Sequence, residues 1–340
     1  MRTDDFDFAL PRTCIAQTPV EPRDSARLMV LRRAEERIEH RLFRDIGEYL
    51  RPGDLLVMND TRVLRARLRG RLEGGGAAEA LLLRPEGPNL WRALVRPGRR
   101  LRAGRTLAFG PENAPVVVEV AAVLEEGERL LRFPVGVDPD TLGETPLPPY
   151  IHAPLADSER YQTVYAREPG SAAAPTAGLH FTAGLLDRLR AAGVATATVT
   201  LHIGPGTFRP VSVDDPHDHP MHSEHYRITA SAASAIATAR GRGGRIVCVG
   251  TTAVRVVESV AETWASQGPG TAEGWTELLI LPGHRFRLVD ALITNFHLPR
   301  STLLMLVSAL AGREFILRAY REAVVAGYRF FSFGDAMLIL

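Results

Sequence analysis

The stretch Ile246-Val-Cys-Val-Gly-Thr-Thr252 decides the fold, because four consecutive apolar residues lead through a glycine into a helical pattern. A short apolar run bounded by a turn signal predicts a strand that is buried on both faces. In the segment that follows, Val254, Val257, Val260 and Ala261 recur at the spacing of one helix face. A buried strand that passes directly into a helix is typical of α/β layer structures.

Strands and helices alternate through the chain from residue 150 onward. Thr182 predicts a helix N-cap, Gly193 predicts the end of that helix, and a strand follows over residues 194–203. Residues 278–281 and 328–333 are further strand candidates, and residues 301–311 and 313–326 are helix candidates. Residues 28–31 and 55–58 add two apolar strands near the start. We therefore predict an α/β main domain with a mixed sheet.

Residues 63–149 have a different pattern, in which short apolar or alternating segments are separated by glycine and proline turns. No helical period of useful length occurs there, and closely spaced short strands predict a small barrel or sandwich. We predict that residues 1–62 and 150–340 form a discontinuous α/β catalytic domain. Residues 63–149 are then an inserted, small all-β barrel domain.

Composition excludes several classes of protein. No apolar run approaches the roughly 18 residues of a membrane span, and the acidic N-terminus has no signal-peptide pattern, so we expect a cytoplasmic protein with no membrane partner. All 41 basic residues are arginine, which excludes Schiff-base lysine chemistry and a P-loop lysine. The net charge of +2 gives no sign of a nucleic-acid partner, although a basic face could be hidden in that balance.

Histidines cluster over residues 216–225, but their spacing does not fit the zincin pattern H-E-x-x-H. The inverted H-x-x-E-H pattern fails because Met221 stands where its first histidine would be. Two cysteines cannot make a four-thiolate zinc site, and we expect no protein-held metal. His222 and Glu224 are better candidates for polar contacts to a substrate, and the other histidines suit a polar loop.

Several polar residues lie where predicted strands end, which is where ligands bind in α/β sheets. His202 precedes Gly204 and Gly206, whose missing side chains let backbone approach a ligand, although a tight turn with a solvated histidine fits equally. The turn at Gly250, Thr251 and Thr252 offers free helix amides to an anion such as a carboxylate or a phosphate.

Other polar positions leave two interpretations open. Glu258 follows in the helix after that turn, either as a buried functional carboxylate or as surface charge. Asn295 and His297 precede a strongly apolar helix, where they either line a cleft or are core groups with satisfied hydrogen bonds. Asp60 and Arg62 end the strand over residues 55–58.

Long motifs in a fixed order carry a resemblance to a known family. They include Arg160-Tyr-Gln-Thr-Val-Tyr165, Ala173-Ala-Pro-Thr-Ala-Gly-Leu-His-Phe-Thr182, Leu201-His-Ile-Gly-Pro-Gly-Thr-Phe208, the run Asp290-Ala-Leu-Ile-Thr-Asn-Phe-His-Leu-Pro-Arg-Ser-Thr-Leu-Leu-Met305 and Phe331-Ser-Phe-Gly-Asp-Ala-Met337. Nearly end to end, the sequence resembles the S-adenosylmethionine:tRNA ribosyltransferase-isomerases of queuosine biosynthesis.

The resemblance implies a reaction as well as an α/β domain with an inserted barrel. The ribosyl group of S-adenosylmethionine is transferred to 7-aminomethyl-7-deazaguanine at the wobble position of tRNA and isomerised. The product is epoxyqueuosine-tRNA, and adenine and methionine are released. The implied partners are S-adenosylmethionine and tRNA, with no metal or other cofactor, and we expect a monomer.

This chemistry needs a base for the carbon between sulfur and ribose, an acid for the departing adenine, and a proton acceptor for the attacking amine. We expect these roles among His180, His202, His222, Glu224, Glu258 and His297, without assigning acid and base individually. Expected substrate-binding residues are Asp60, Arg62, Gly204, Gly206, Gly250, Thr251, Thr252, Arg255, Asn295, Arg300 and Asp335.

The sequence departs from the family pattern at a few positions. Residues 276–286 read Thr-Glu-Leu-Leu-Ile-Leu-Pro-Gly-His-Arg-Phe, so that Glu277, Leu281 and His284 stand where the family pattern has other residues. Arg300 stands where lysine is common, and it keeps the charge but presents a planar fork.

Two other classes of function compete with this interpretation. One is an RNA methyltransferase that uses the same donor and would release S-adenosylhomocysteine, although the sequence has no clear glycine-rich loop after an N-terminal strand. The other is a non-catalytic tRNA-binding protein that uses the barrel as a platform.

Overall fold

The computed structural model describes residues 1–204 and 211–340. In chain order, the strands are β1 (Arg27–Arg32), β2 (Arg37–Leu42), β3 (Leu55–Asn59), β4 (Thr61–Val63), β5 (Arg67–Leu72), β6 (Ala77–Gly87), β7 (Leu90–Arg96), β8 (Thr106–Phe109), β9 (Val116–Val123), β10 (Arg129–Arg132), β11 (Glu168–Ser171), β12 (Ala195–Leu201), β13 (Glu224–Ile228), β14 (Ile246–Val249), β15 (Ala272–Thr276), β16 (Ala291–Asn295) and β17 (Ala336–Ile339). The helices are α1 (Ala183–Ala191), α2 (Ala230–Gly241), α3 (Thr251–Gln267), α4 (Thr302–Ala311) and α5 (Arg313–Val325).

Within the described residues, nine strands form one mixed sheet in the order β15-β13-β12-β3-β14-β16-β17-β1-β2. The four central strands β12, β3, β14 and β16 are parallel, and antiparallel pairs flank them on both sides. Strands β3 and β14 are buried at every position, as expected for parallel strands that are covered on both faces. The predicted α/β fold with a mixed sheet is confirmed.

The helices α1, α2 and α4 begin at side-chain N-caps, whereas no side chain caps α3 or α5. Thr182 caps α1 as predicted, because its side-chain oxygen accepts a hydrogen bond from the amide of Leu185 at 3.1 Å. One face of α1 packs on the side chains of β3 and β14, including Leu56 and Val247, in the main core. Ser301 caps α4 in the same way, with 3.1 Å to the amide of Leu304.

A second compact unit contains the barrel, whose strands close in the order β10-β7-β6-β5-β8-β9. Its core consists of side chains from all six strands, such as Leu68, Leu107 and Val118. The unit comprises Arg62–Pro148 and Pro169–Ala173, and the α/β unit comprises Met1–Thr61, Pro149–Glu168 and Ala174–Leu340. The short segment Pro169–Ala173, which the sequence prediction placed in the α/β part, thus belongs to the barrel unit.

Two predicted strands are wrong. Residues 278–281 form no strand, and β15 lies slightly earlier, where it pairs with β13 through Trp275 and His225. Residues 328–333 contain an isolated bridge at Phe330 and a turn at Phe331, whose φ is 71°. The last strand begins at Ala336 instead, between β1 and β16.

Candidate functional site

The four central strands of the sheet end at one edge, because they run parallel. Leu201, Asn59, Val249 and Asn295 are their last residues. Asn59 ties two of these ends together, since its amide nitrogen donates to the Leu201 carbonyl at 3.0 Å and its oxygen accepts from the Leu201 amide at 3.1 Å. This is the edge at which α/β sheets bind their ligands.

A cavity of about 930 Å³, including its open mouth, lies at this edge of the α/β unit. Its walls are mostly apolar, with polar groups contributed by the ends of β14 and β16 and by two loops. The lining residues are Tyr150, Ala174, Pro175, Thr176, Ala177, Ile203, Gly250, Thr251, Thr252, Thr294, Asn295, Phe296, His297, Leu298, Pro299, Ser301, Leu303, Phe331 and Ser332.

His297 is the titratable wall residue among those predicted from the sequence. Its Nε2 lies 2.8 Å from the hydroxyl of Thr294, and its backbone amide donates to the Tyr320 hydroxyl at 2.9 Å. Burial lowers the pKa of His297 to about 3, because the charged imidazolium would lose its hydration. The ring is therefore neutral at pH 7 and enters the cavity as a hydrogen-bond partner or proton acceptor.

Asn295 connects the cavity to a second buried histidine. Its side-chain oxygen accepts a hydrogen bond from Thr176 at 2.8 Å, and its amide nitrogen lies 3.3 Å from Nε2 of His180. Burial, with smaller contributions from nearby Arg329 and Arg23, lowers the pKa of His180 to about 3. A neutral Nε2 can accept a hydrogen bond from the Asn295 amide. His180 therefore helps to orient the Asn295 side chain in the cavity wall.

The N-terminus of α3 forms another part of the cavity wall. Gly250 precedes the helix with a φ of 87°, a conformation that other residues rarely adopt. No side chain caps this helix, so its first amides are available to a ligand. Thr251 and Thr252 follow directly, and both are more than nine-tenths buried.

Tyr150 and Ser332 also line the cavity, although the site residues predicted from the sequence did not include them. The Tyr150 hydroxyl lies 2.6 Å from the Ser332 hydroxyl, and the Tyr150 ring packs on Phe331 with centroids 4.3 Å apart. Burial raises the pKa of Tyr150, so its hydroxyl keeps its proton. Ser332 and Phe331 fall within the motif over residues 331–337 that carried the family resemblance, which is the signal that could have identified them.

Three of the predicted residues line a smaller, neighbouring cavity. His222, Glu224 and Arg255 contribute to it, and Leu303 lines both cavities. Glu224 accepts a hydrogen bond from the Gly204 amide at 3.0 Å and pairs with the Arg255 guanidinium.

His202 lies at the end of β12, outside both cavities. Its Nδ1 lies 2.8 Å from the Thr61 hydroxyl, and its ring stacks on His225 with 6.0 Å between centroids. Burial lowers the pKa of His202, with contributions from His225 and Arg227. Asp60 is buried nearby, where Arg167 and the hydroxyl of Thr200 each donate to it at 2.8 Å.

Glu258 and Asp335 line neither cavity and bind backbone amides instead. Glu258 accepts from the amides of Arg287, Leu288 and Val289, each at 3.0 Å. Asp335 accepts from the amides of Arg27 and Arg329, and burial raises its pKa. These contacts tie both carboxylates to the backbone of other segments of the chain.

Arg62 and Arg300 also lie outside the two cavities. Arg300 is about half exposed and lies 3.7 Å from Asp4. Arg62 belongs to the barrel unit, and Gly206 lies outside the described residues. The family departures Glu277, Leu281 and His284 line neither cavity.

No group of three metal-ligating side chains occurs in residues 1–204 or 211–340. In the same part of the chain, no helix has the length and apolar character needed to cross a membrane.

Comparison with known proteins gives one consistent family. A family model described as "Queuosine biosynthesis protein" matches residues 3–339. The chain is 59% identical to an S-adenosylmethionine:tRNA ribosyltransferase-isomerase from Symbiobacterium thermophilum, and the alignment covers 100% of both chains. A relative of the same name from Desulfitobacterium hafniense is 54% identical, again over 100% of both chains.

A solved structure agrees with the sequence relatives. The crystal structure of an S-adenosylmethionine tRNA ribosyltransferase from Thermotoga maritima is 42% identical, covers 99% of this chain and 100% of its own, and has a TM-score of 0.58. The family match and the full-length relatives agree with the motifs that span the sequence, and this chain belongs to the family of queuosine biosynthesis proteins.

Proposed function

We propose that this protein is an S-adenosylmethionine:tRNA ribosyltransferase-isomerase and that the cavity at the carboxyl edge of its sheet binds the donor. Its activity, inferred from its full-length relatives, transfers and isomerises the ribosyl group of S-adenosylmethionine onto 7-aminomethyl-7-deazaguanine in tRNA. Adenine and methionine leave, and epoxyqueuosine-tRNA forms.

One observation supports the cavity as the donor site: His297 is neutral and buried in a wall that otherwise consists of apolar, hydroxyl and amide groups. S-adenosylmethionine carries a sulfonium whose reactivity depends on a weakly solvating environment. A mostly apolar cavity keeps the sulfonium from being stabilised by water, and such a cavity strengthens each polar contact within it.

The first step of the chemistry requires loss of a proton from the carbon that joins sulfur to ribose. His297 holds no proton at pH 7, so it serves as an acceptor at this step and not as an acid. The Thr294 hydroxyl lies 2.8 Å from Nε2 of His297 and holds that ring nitrogen. We therefore assign the other ring nitrogen, Nδ1, to S-adenosylmethionine. We assign Asn295, which Thr176 and His180 hold by hydrogen bonds, to contacts with the ribose hydroxyls.

Departure of adenine requires a hydrogen-bond donor and a surface for the base. Tyr150 and Ser332 supply hydroxyl protons in the cavity. The Tyr150–Phe331 pair supplies an aromatic surface against which a purine can pack. We therefore assign the adenine to the Tyr150 side of the cavity and the reacting carbon to the His297 side.

His202, His222 and Glu224 are proposed for the tRNA side of the reaction, because they lie next to the donor cavity without lining it. Within this set, the Glu224 carboxylate pairs with the Arg255 guanidinium. We further propose that the chain acts as a cytoplasmic monomer, where tRNA is available, and that it needs no metal or cofactor besides the donor substrate.

Adenine release tests this function directly. We expect the protein to release adenine from S-adenosylmethionine with tRNA that carries the aminomethyl deazaguanine, and not with tRNA that carries guanine. Mass spectrometry of the tRNA nucleosides identifies the epoxyqueuosine product. Release of S-adenosylhomocysteine would show a methyltransferase, and tRNA binding without donor turnover would show a non-catalytic protein.

A substitution series tests the site. His297→Gln keeps a polar side chain of similar size but removes the imidazole, and we expect adenine release to fall about 100-fold or more. The matched control is His152→Gln, because His152 is exposed and outside the cavity. Unchanged turnover in a folded His297→Gln variant would remove the histidine from the mechanism.

A further inference from the structure

We infer that the carboxylate of the donor's methionine part binds at the N-terminus of α3, where the Thr252 hydroxyl and the first helix amides receive it. The inference rests on the proposed function, because it assigns one end of the donor to one wall of the cavity. It also fixes the direction in which S-adenosylmethionine lies.

The Thr252 hydroxyl is the first reason. The residue is only 8% exposed, it lines the cavity, and its Oγ1 has no hydrogen-bond partner within residues 1–204 and 211–340. Buried hydroxyl groups nearly always have a partner, since an unsatisfied one is destabilising. A ligand atom in the cavity supplies the partner that this hydroxyl lacks.

The field of the helix is the second reason. α3 runs for 17 residues and no side chain caps it. The N-terminus of such a helix carries about half a positive elementary charge and exposes free amides. Thr252 stands within the first turn, so its hydroxyl and the amides face the same ligand group.

Charge complementarity selects the carboxylate among the groups of the donor. The described residues that line the cavity include no arginine, aspartate or glutamate, and His297 is neutral because its pKa lies near 3. The described lining side chains thus supply no positive charge, and α3 is the long helix that presents an N-terminus without a side-chain cap to this cavity. The sulfonium and ammonium groups of the donor are cations, and its carboxylate is the anion that matches this terminus.

Gly250 keeps the approach to the helix terminus open. Its φ of 87° strains any residue with a side chain, and a Cβ there would lie 3.6 Å from both Ala177 and the Thr252 hydroxyl. The terminus thus stays accessible from the cavity, and the ligand carboxylate meets backbone amides without an intervening side chain.

The test compares two donors that differ only in the carboxylate. Binding of S-adenosylmethionine and of decarboxylated S-adenosylmethionine to the full chain is measured by isothermal titration calorimetry without tRNA. We expect the wild type to prefer S-adenosylmethionine. Thr252→Val removes the hydroxyl at nearly constant volume, and we expect that preference to fall on the order of tenfold.

Two variants control for folding and for a general helix effect. Thr252→Ser restores the hydroxyl, and we expect it to restore most of the preference. Thr263→Val makes the same change at an exposed position of the same helix, and we expect the preference of the wild type. An equal affinity of the wild type for the two donors would overturn the inference, and so would a Thr252→Val variant with an unchanged preference.

Other outcomes separate this inference from the proposed function. Loss of tRNA affinity in Thr252→Val with an unchanged donor preference would assign the helix terminus to a tRNA phosphate and overturn the inference. A carboxylate preference that depends on Thr252 supports the inference even if no adenine is released, because the calorimetry requires no turnover. Failure of adenine release bears on the proposed function alone.

Discussion

Glu224 and Arg255 form an ion pair in which each side chain is more than nine-tenths buried. Arg255 also donates to the carbonyls of Leu278 at 3.1 Å and Thr276 at 3.2 Å. Glu224 also accepts a hydrogen bond from the Gly204 amide. The pair therefore joins β13 and α3 to the segments at Gly204 and at residues 276–278. Because both side chains are buried, water cannot readily replace either partner.

The energetic consequence is that breaking this pair is costly. Glu224→Gln leaves the Arg255 guanidinium buried without a counter-charge, and we expect the free energy of unfolding to fall by about 3 to 5 kcal/mol. Urea denaturation followed by circular dichroism measures it. Glu119→Gln is the control, because its pair with Arg132 is exposed and should contribute less than about 1 kcal/mol. A similarly small loss of unfolding free energy in both variants would contradict a buried ion pair between Glu224 and Arg255.

Glu258 is expected to act on stability and not on turnover. Its two oxygens accept three backbone amides near Leu288, and Glu258→Gln replaces one acceptor with a donor. We expect a loss of about 1 to 3 kcal/mol in unfolding free energy, with adenine release within about threefold of wild type in the folded protein. Glu262→Gln, exposed on the same helix, is the control. A folded Glu258→Gln variant that loses turnover about 100-fold would return the residue to the catalytic group.

The sequence pattern indicated Glu258 without showing what its carboxylate binds. The segment that supplies the three amides lies about 30 residues further along the chain, and nothing in a periodic pattern encodes that distance. The fold class could be predicted from the sequence, because the buried run Ile246–Val249 and the helix after it are local signals. The barrel could be predicted for the same reason, since turn residues separate its short strands.

Strand pairing explains where the sequence-based prediction failed. Residues 278–281 are the more apolar run, yet Ala272–Thr276 forms the strand because it lies next to β13. Ile280 is buried without joining the ladder. Burial and strand pairing are separate properties, and an apolar run reports only the first.

The close contact of Gly70 in β5 with β8 predicts how a substitution there affects the stability of the barrel unit. A Cβ at this position would lie 2.3 Å from the carbonyl oxygen of Ala108 and 2.6 Å from the ring of Phe109. Gly70→Ala therefore forces β5 and β8 apart, and we expect a loss of about 1 to 3 kcal/mol in unfolding free energy. Gly87→Ala is the matched control, since its Cβ would meet only Leu90 at 3.8 Å. Equal stability of the two variants would contradict the close packing of β5 on β8.

The buried histidines predict how stability depends on pH. His180 and His297 both have a folded pKa of about 3, below the value of about 6.5 for an unfolded histidine. The unfolded chain therefore binds more protons, and stability is lost as the pH falls from about 6.5 toward 3. By pH 4.5 each histidine should have removed about 2 to 3 kcal/mol.

Urea denaturation at pH 7 and pH 4.5 checks this expectation. Carboxylates also titrate in that window, so the comparison is made against His297→Gln, which has no proton to gain at that position. We expect the loss of stability between the two pH values to be smaller in the variant than in the wild type by the contribution of one histidine. His152→Gln serves as the control, since it makes the same substitution at an exposed position outside the cavity. Identical pH dependence in wild type and His297→Gln would show that the imidazole at the cavity wall is solvated and titrates normally, and it would remove the reason for treating His297 as a neutral proton acceptor.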